Sequence, residues 1–290
     1  MKFKQITIIG VGLLGGSFAL AMRARNTVDK IVGVSRRLSS AENALSLGVI
    51  DEATDDIKQA VKDADLVLIA TPMLSMRTVL QQVTEVVSPD CLITDVGSVK
   101  GTLVDMVQSD FPQLLPQFVF AHPIAGGERS GANAARADLF ADKHLILAAT
   151  HLAKPEFVAM SQTVWRSLGA KVVEMSAEQH DAVFAYTSHL PHVIAYALVN
   201  NLHQQGNSQQ LFDFASAGFY DFTRIASSDP IMWRDICLSN KKEVLKSVRQ
   251  FSEQLSRLEQ AIEHSDAAAL KKMFNDAKQA RDEGLIKKQR

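Results

Sequence analysis

The chain has 290 residues, 31 Lys and Arg against 32 Asp and Glu, a formal net charge of −1, and 47% apolar against 22% charged side chains. That balance offers no electrostatic footprint for nucleic acid or an anionic membrane surface, and the length allows two domains with ample core. Cys91 and Cys237 are too few for a disulfide framework and lack metal-site spacing, so a reducing, cytoplasmic setting is expected.

The first predicted elements lie in an apolar run, residues 6–22, preceded by Lys2 and Lys4, which loosely has the look of an export signal. Gly10, Gly12, Gly15 and Gly16 make that run a poor continuous helix. It reads instead as a strand at 4–9, a glycine turn and a helix at 14–24. No other segment approaches the ~20 apolar residues of a membrane span. Further strands are expected at 30–34, 66–70, 91–94, 118–121, 145–149 and 171–174, with helical stretches between them. Alternation of this kind implies a Rossmann-type, doubly wound and mostly parallel sheet covered on both faces. After Met175 only helical periodicity remains, so an α/β dinucleotide-binding domain is expected over 1–176. An all-helical domain is expected over 177–290, supplying substrate groups and the interface of a homodimer.

Ligands of such sheets bind beyond the carboxyl ends of the strands, which directs attention to the segments that follow each one. Gly10-Val11-Gly12-Leu13-Leu14-Gly15 has the G-x-G-x-x-G spacing between strand and helix. Gly10 permits the tight turn, Gly12 the approach of a pyrophosphate, and Gly15 close packing of helix on strand. The free N–H groups of the helix start, at Leu13 and Leu14, complete the phosphate cradle. About twenty residues on, NAD-binding folds carry a carboxylate for the ribose; here Ser35, Arg36 and Arg37 stand instead. A guanidinium fork suits a 2′-phosphate, so NADP is favoured over NAD; the alternative is a solvated basic turn. Thr71 ends the next strand and is a further cofactor candidate.

His122, after the strand at 118–121 and before a glycine-rich turn, sits where a nicotinamide would lie and titrates near neutrality, so it is either the proton acceptor or a loop-capping residue. Ser98, in Asp95-Val96-Gly97-Ser98-Val99-Lys100, is short enough to orient a substrate hydroxyl or carboxylate. Lys100 touches phosphate or caps the turn. In the helical region Asp181 and His192 are eleven residues apart, about three turns, and should share a face, with His189 one turn before His192. Pro191 removes a backbone donor between the two histidines and should kink the helix into a cleft wall. Paired histidines also suggest zinc, but with only His180 and Asp181 nearby as further ligands, no metal is expected; His189 is read as structural. Arg224, in an aromatic-rich turn, would grip a substrate carboxylate or pair with Asp221 or Asp229.

Taken together, G-V-G-L-L-G-G-S, D-V-G-S-V-K-G, H-P-I-A-G-G-E-R-S-G, H-D-A-V-F-A-Y-T-S-H-L-P-H and D-F-T-R-I-A-S-S-D-P-I-M-W, in order over residues 10–233, resemble the prephenate/arogenate dehydrogenase family of tyrosine biosynthesis. The resemblance implies that His122 is the catalytic histidine at the substrate's ring hydroxyl, with Ser98 at the same hydroxyl. It implies that Arg224 binds a substrate carboxylate, that His192 lines the pocket with Trp233 nearby, and that Asp181 is an interdomain or pocket-supporting residue. It also implies a helical dimerisation domain, a small-molecule substrate, and NAD or NADP as cofactor. Neither a regulatory domain after the helices nor a mutase segment before Gly10 is expected. Two other readings compete. A β-hydroxyacid or 6-phosphogluconate-type dehydrogenase should place a lysine early in its helical domain, and 178–202 has none. A non-catalytic NADP-binding protein should lack the combination of His122, Ser98 and Arg224.

Overall fold

The computed structural model describes residues 1–127 and 129–289, and packing divides the chain into two compact units, Met1–Lys241 and a second that begins at Lys242. Eight strands form one sheet: β1 (Phe3–Ile9), β2 (Val28–Val34), β3 (Glu52–Thr54), β4 (Leu66–Ile69), β5 (Leu92–Asp95), β6 (Phe118–Pro123), β7 (His144–Ala148) and β8 (Lys171–Met175). Their order is β3-β2-β1-β4-β5-β6-β7-β8, parallel throughout except for the antiparallel β6–β7 pair. The order reverses between β1 and β4, and sheets of this kind take their ligands at that switch point, beyond the carboxyl ends of the strands.

Side-chain alternation builds two cores from the same strands. Ile6, Ile8, Leu66 and Leu68 face one side with Phe18 and Met22 of α1 (Leu13–Ala24). Ile9, Val67 and Ile69 face the other, against α3 (Ile57–Val61), α4 (Met76–Val83) and α5 (Gly101–Asp110), through Val61, Leu80 and Leu103, while α2 (Leu38–Ser46) joins the first face through Ala41 and Ala44. Both faces of β4 are therefore buried, which is why it reads as L-V-L-I without polar interruption. Each such side chain contributes about 1.5–3 kcal/mol by leaving water. Trp165, from α6 (Pro155–Ser167), closes the first core edge-on to Phe18 and Phe140.

The helical region starts at α7 (Ala177–Phe184), with Ser176 capping its first turn, and continues through a π turn (Ala185–His189) into α8 (Leu190–His203). Pro191 cannot donate to a carbonyl four residues back, and the backbone answers with one wide turn carrying an extra residue. Then follow α9 (Ser208–Asp213), α10 (Ala217–Thr223) and α11 (Pro230–Ser239), the last capped by Asp229. The second unit holds α12 (Lys241–Glu263) and α13 (Ala267–Gln289).

The chain changes from sheet to helices between Met175 and Ala177, and the helices up to Ser239 pack with the sheet in one unit. Two expectations need amending. Residues 177–203 form one continuous helix of 27 residues with an apolar window of mean hydropathy 1.3, long and apolar enough to cross a bilayer, where no second such segment was anticipated. His180, Asp181 and His189 on it are nonetheless buried against other elements of the same unit. Finally, the extra residue of the π turn breaks the α-helical spacing between Asp181 and His192, and their contacts differ: Asp181 meets the start of α5 and His192 meets Trp233.

Candidate active site

The glycine turn between β1 and α1 shows which glycines the protein itself requires. Gly10 has φ +101°, and a Cβ there would lie 2.4 Å from the Ala70 carbonyl oxygen; at Gly15 it would lie 2.2 Å from the Gly10 oxygen. A Cβ on Gly12 meets nothing within 4 Å. Gly12 thus keeps open a space that no described residue fills, at the end of a helix with no side-chain cap and no acid in its first turn. Uncapped N–H groups at Leu13 and Leu14, facing open space, are the donor set a dinucleotide pyrophosphate requires, and the residues present fit that group. Beyond β2, Ser35 is half-buried with its N–H on the Thr54 carbonyl, whereas Arg36 and Arg37 are exposed and have no ion-pair partner among the described residues. Thr71 follows β4 and stands against Gly10.

Beyond β5 and β6 the chain builds a polar cluster. Asp95 and Lys100 are an ion pair with both side chains fully buried. Asp95 Oδ1 also accepts the Ala121 N–H at 3.0 Å and Oδ2 the Gly97 N–H at 2.7 Å, while Lys100 Nζ donates to the Ala121 carbonyl at 2.8 Å. Lys100 therefore neither reaches phosphate nor caps the turn; it ties the β5 loop to β6. Burial lowers its pKa against the attraction of Asp95 and Asp181. Ser98 is half-buried in the same loop, at the carboxyl edge it shares with His122.

His122 is the penultimate residue of β6, half-buried. Its Nδ1 lies 2.8 Å from His180 Nε2, and His180 Nδ1 lies 2.7 Å from Asp181 Oδ1. The Asp181 carboxylate accepts two backbone N–H groups at the start of α5, Lys100 on Oδ1 and Gly101 on Oδ2, each at 2.8 Å. Phe184 packs on both imidazoles, 5.1 Å from His122 and 4.6 Å from His180 between centroids. His122 Nε2 has no hydrogen-bond partner among the described residues. Burial first, then the neighbouring His180, Lys100 and His189, hold the His122 pKa well below 6.5. Burial also outweighs Asp181 at His180 and lowers its pKa.

On the helices, His189 is buried, 3.2 Å from Asn240 Nδ2, and burial pulls its pKa down to about 4. Asn240 in turn donates to the Asp181 carbonyl at 2.9 Å. His192 is half-buried, stacked on Trp233 at 3.5 Å, with Nδ1 donating to the Ser188 carbonyl at 2.9 Å. Burial, opposed by that hydrogen bond and aided by the charge of Arg224, lowers its pKa. The Arg224 segment is held to α8 by the Tyr196 hydroxyl, which donates to Ser228 at 2.6 Å. Of the expected residues, His122 and Asp181 meet through His180, and His192, Trp233 and Arg224 form a second group. Glu128, within the quoted turn after His122, lies outside the described residues. The sequence reading missed the parts played by His180 and Asn240: fifty-eight residues separate His122 from His180, and no spacing rule links them.

Family models match over most of the chain: the prephenate dehydrogenase nucleotide-binding domain over residues 18–174 and the prephenate dehydrogenase dimerization domain over 176–276. The chain belongs to the prephenate dehydrogenase family. It is 38% identical over 279 residues to the prephenate dehydrogenase of Bacillus subtilis, covering 96% of this chain and 75% of that one. With the cyclohexadienyl dehydrogenase of Zymomonas mobilis it shares 36% identity over 283 residues, covering 96% and 95%. The fold matches the prephenate dehydrogenase of A. aeolicus, solved with hydroxyphenyl propionate and NAD+, at a TM-score of 0.91 and 38% identity over 98% of this chain and 99% of that one. Synechocystis arogenate dehydrogenase follows at 0.79 and 28%, over 96% and 99%.

Proposed function

We infer that this family member carries out the oxidative decarboxylation of prephenate or arogenate with hydride transfer to a nicotinamide dinucleotide, giving 4-hydroxyphenylpyruvate or tyrosine. The observation that carries the reading is a half-buried, neutral His122 whose Nε2 is unpartnered among the described residues. It stands at the carboxyl edge of a dinucleotide-type sheet whose glycine turn keeps an open cradle. When bound, the dinucleotide supplies the hydride acceptor. The substrate is a cyclohexadienol with its hydroxyl carbon opposite the carbon that bears the ring carboxylate. His122 Nε2 accepts the hydroxyl proton as the C–H bond at that carbon breaks, and Ser98 orients the same hydroxyl. The electron pair of the departing carboxylate then flows into the ring, carbon dioxide leaves, and His122 returns the proton to the oxygen, now phenolic. Aromatisation drives the sequence forward, so the residues need only position the reactants and place charge.

Arg224 is assigned to a substrate carboxylate, with His192 and Trp233 as the stacked wall beside it. The tautomer of His192, with Nδ1–H on Ser188, leaves Nε2 toward the ligand. Asp181 and His189 act as supports. NADP is favoured over NAD because Arg36 and Arg37 stand, exposed and without ion-pair partners among the described residues, where NAD-binding folds place a carboxylate. Residues 177–290 serve as the substrate and dimerisation domain of a homodimer, supported by the matched dimerization model and by Leu255, Ile262 and Phe274 left exposed on α12 and α13. Two free thiols, Cys91 and Cys237, suit a cytoplasmic enzyme. Initial rates of reduced-nicotinamide formation, with prephenate or arogenate and NAD or NADP in all four combinations, test the reading. The expected result is turnover, greater with NADP; four flat traces from folded protein refute it.

A further inference from the structure

The proton on His122 has two places to sit, and only one leaves the ring useful. Neutral imidazole carries its hydrogen on Nδ1 or Nε2, and a base facing the substrate through Nε2 must carry it on Nδ1. The hydrogen bonds behind His122 decide between the two. Asp181 is an acceptor, already taking the Lys100 and Gly101 N–H groups, so the His180 nitrogen 2.7 Å away must donate. A neutral His180 that donates through Nδ1 presents a bare Nε2. That bare nitrogen, 2.8 Å from His122 Nδ1, requires a donor, and His122 can satisfy it only by carrying its proton on Nδ1. Every bond in the chain Asp181–His180–His122 is thereby assigned, and His122 Nε2 is left as a lone pair.

We propose that His180, held by Asp181, is a positioning residue for this reaction: it locks His122 in the tautomer with Nε2 free and shares the positive charge that appears when Nε2 takes the hydroxyl proton. The proposal rests on the reaction inferred above. His180 is fully buried and hydrogen-bonded to His122, so its influence belongs on turnover rather than on substrate affinity. The rigidity of the relay comes from its anchorage. Asp181 is fixed by the first turn of α5, which favours a carboxylate at its positive end, and by Asn240 on its own carbonyl. Phe184 covers both rings, so water does not compete for the His122–His180 hydrogen bond. The logic parallels that of the aspartate in hydrolase triads, where the partner fixes tautomer and orientation without itself taking the proton.

The test uses the full-length protein, with histidine labelled by nitrogen-15 and His122 assigned by comparison with His122→Asn. In the wild type the His122 resonances should show a protonated Nδ1 and a bare Nε2. His180→Phe, which offers neither acceptor nor donor, should shift the proton to Nε2 and lower kcat by on the order of 10²-fold, with KM for the substrate changed less than about threefold. His180→Gln keeps an acceptor toward His122 and a donor toward Asp181; it should retain the Nδ1 proton and recover most of the lost kcat. A wild-type His122 protonated on Nε2 overturns the proposal, as does full kcat in folded His180→Phe. The wild-type spectrum decides the matter even if His180→Phe fails to fold. It also decides it if no substrate turns over, an outcome that sinks the inferred reaction but leaves the tautomer reading standing or falling by itself.

Discussion

Replacing Lys100 by methionine removes an ammonium from a site where both it and its partner Asp95 are fully buried. The methionine fills similar volume, so the loss is mainly electrostatic. Asp95 keeps the N–H groups of Ala121 and Gly97, but its charge is left unpaired below the sheet edge, and the Ala121 carbonyl loses a donor. Breaking a buried pair from one side costs about 3–5 kcal/mol. In a chain of this size that corresponds to a fall in Tm of roughly 6–20 °C. Calorimetry or urea unfolding of Lys100→Met reads the first number, and a cycle with Asp95→Asn isolates the charge. In the Asp95→Asn background no carboxylate is stranded, and Lys100→Met should cost about 2 kcal/mol less. A single-variant cost below about 1 kcal/mol, or additivity within about 0.5 kcal/mol, would refute the view that this pair anchors the β5 loop to β6.

The glycine turn separates folding from binding: Gly10→Ala should destabilise the protein by more than about 2 kcal/mol through its clash and positive φ, whereas Gly12→Ala should keep stability within about 1 kcal/mol yet weaken dinucleotide binding at least tenfold, as read by thermal shift and cofactor titration. Removing both guanidinium groups, with Arg36→Ala and Arg37→Ala combined, should raise KM for NADP by about 10–100-fold and leave KM for NAD within about twofold; equal changes would remove these residues from the phosphate site. The buried imidazoles set an acid limit on stability. His122, His180 and His189, packed among Lys100, Asp181 and Asn240, have folded pKa values below the unfolded 6.5, His189 at about 4. The unfolded chain therefore binds more protons, so stability is full above pH 6.5 and falls as pH drops from 6.5 toward 4, by up to ~1.4 kcal/mol per pH unit for each group. Urea midpoints that stay level between pH 7 and pH 5 would contradict the buried, neutral assignment.

The sheet was legible because its central strands are buried on both faces, and such strands advertise themselves as unbroken apolar runs; β4 is the plainest example. β3 escaped because three half-exposed residues carry no such signal. The reversal of β7 was not legible either, since strand direction leaves no mark on composition. The rule that ligands sit beyond strand ends singled out Gly10 to Gly15, Ser98 and His122 as residues of the proposed site. Lys100 was misread because a lysine in a loop looks solvated, and its burial depends on Asp95, five positions earlier and facing the same interior. His180 could not be reached from spacing, because its partner comes from β6 and the pair exists only once α7 lies on the sheet edge.

The π turn at Ala185–His189 has a mechanical consequence for the long helix. A regular helix rotates by about 100° per residue, so one inserted residue offsets everything after it by nearly a third of a revolution relative to everything before. The half before the turn is committed to the sheet, through His180 and Asp181; the half after it is committed to Trp233 through His192. Deleting one residue between 185 and 189 would give a more regular helix in which those commitments exclude each other. The insertion thus acts as a gear between the half of the helix that carries the proposed proton relay and the half proposed to face the ligand.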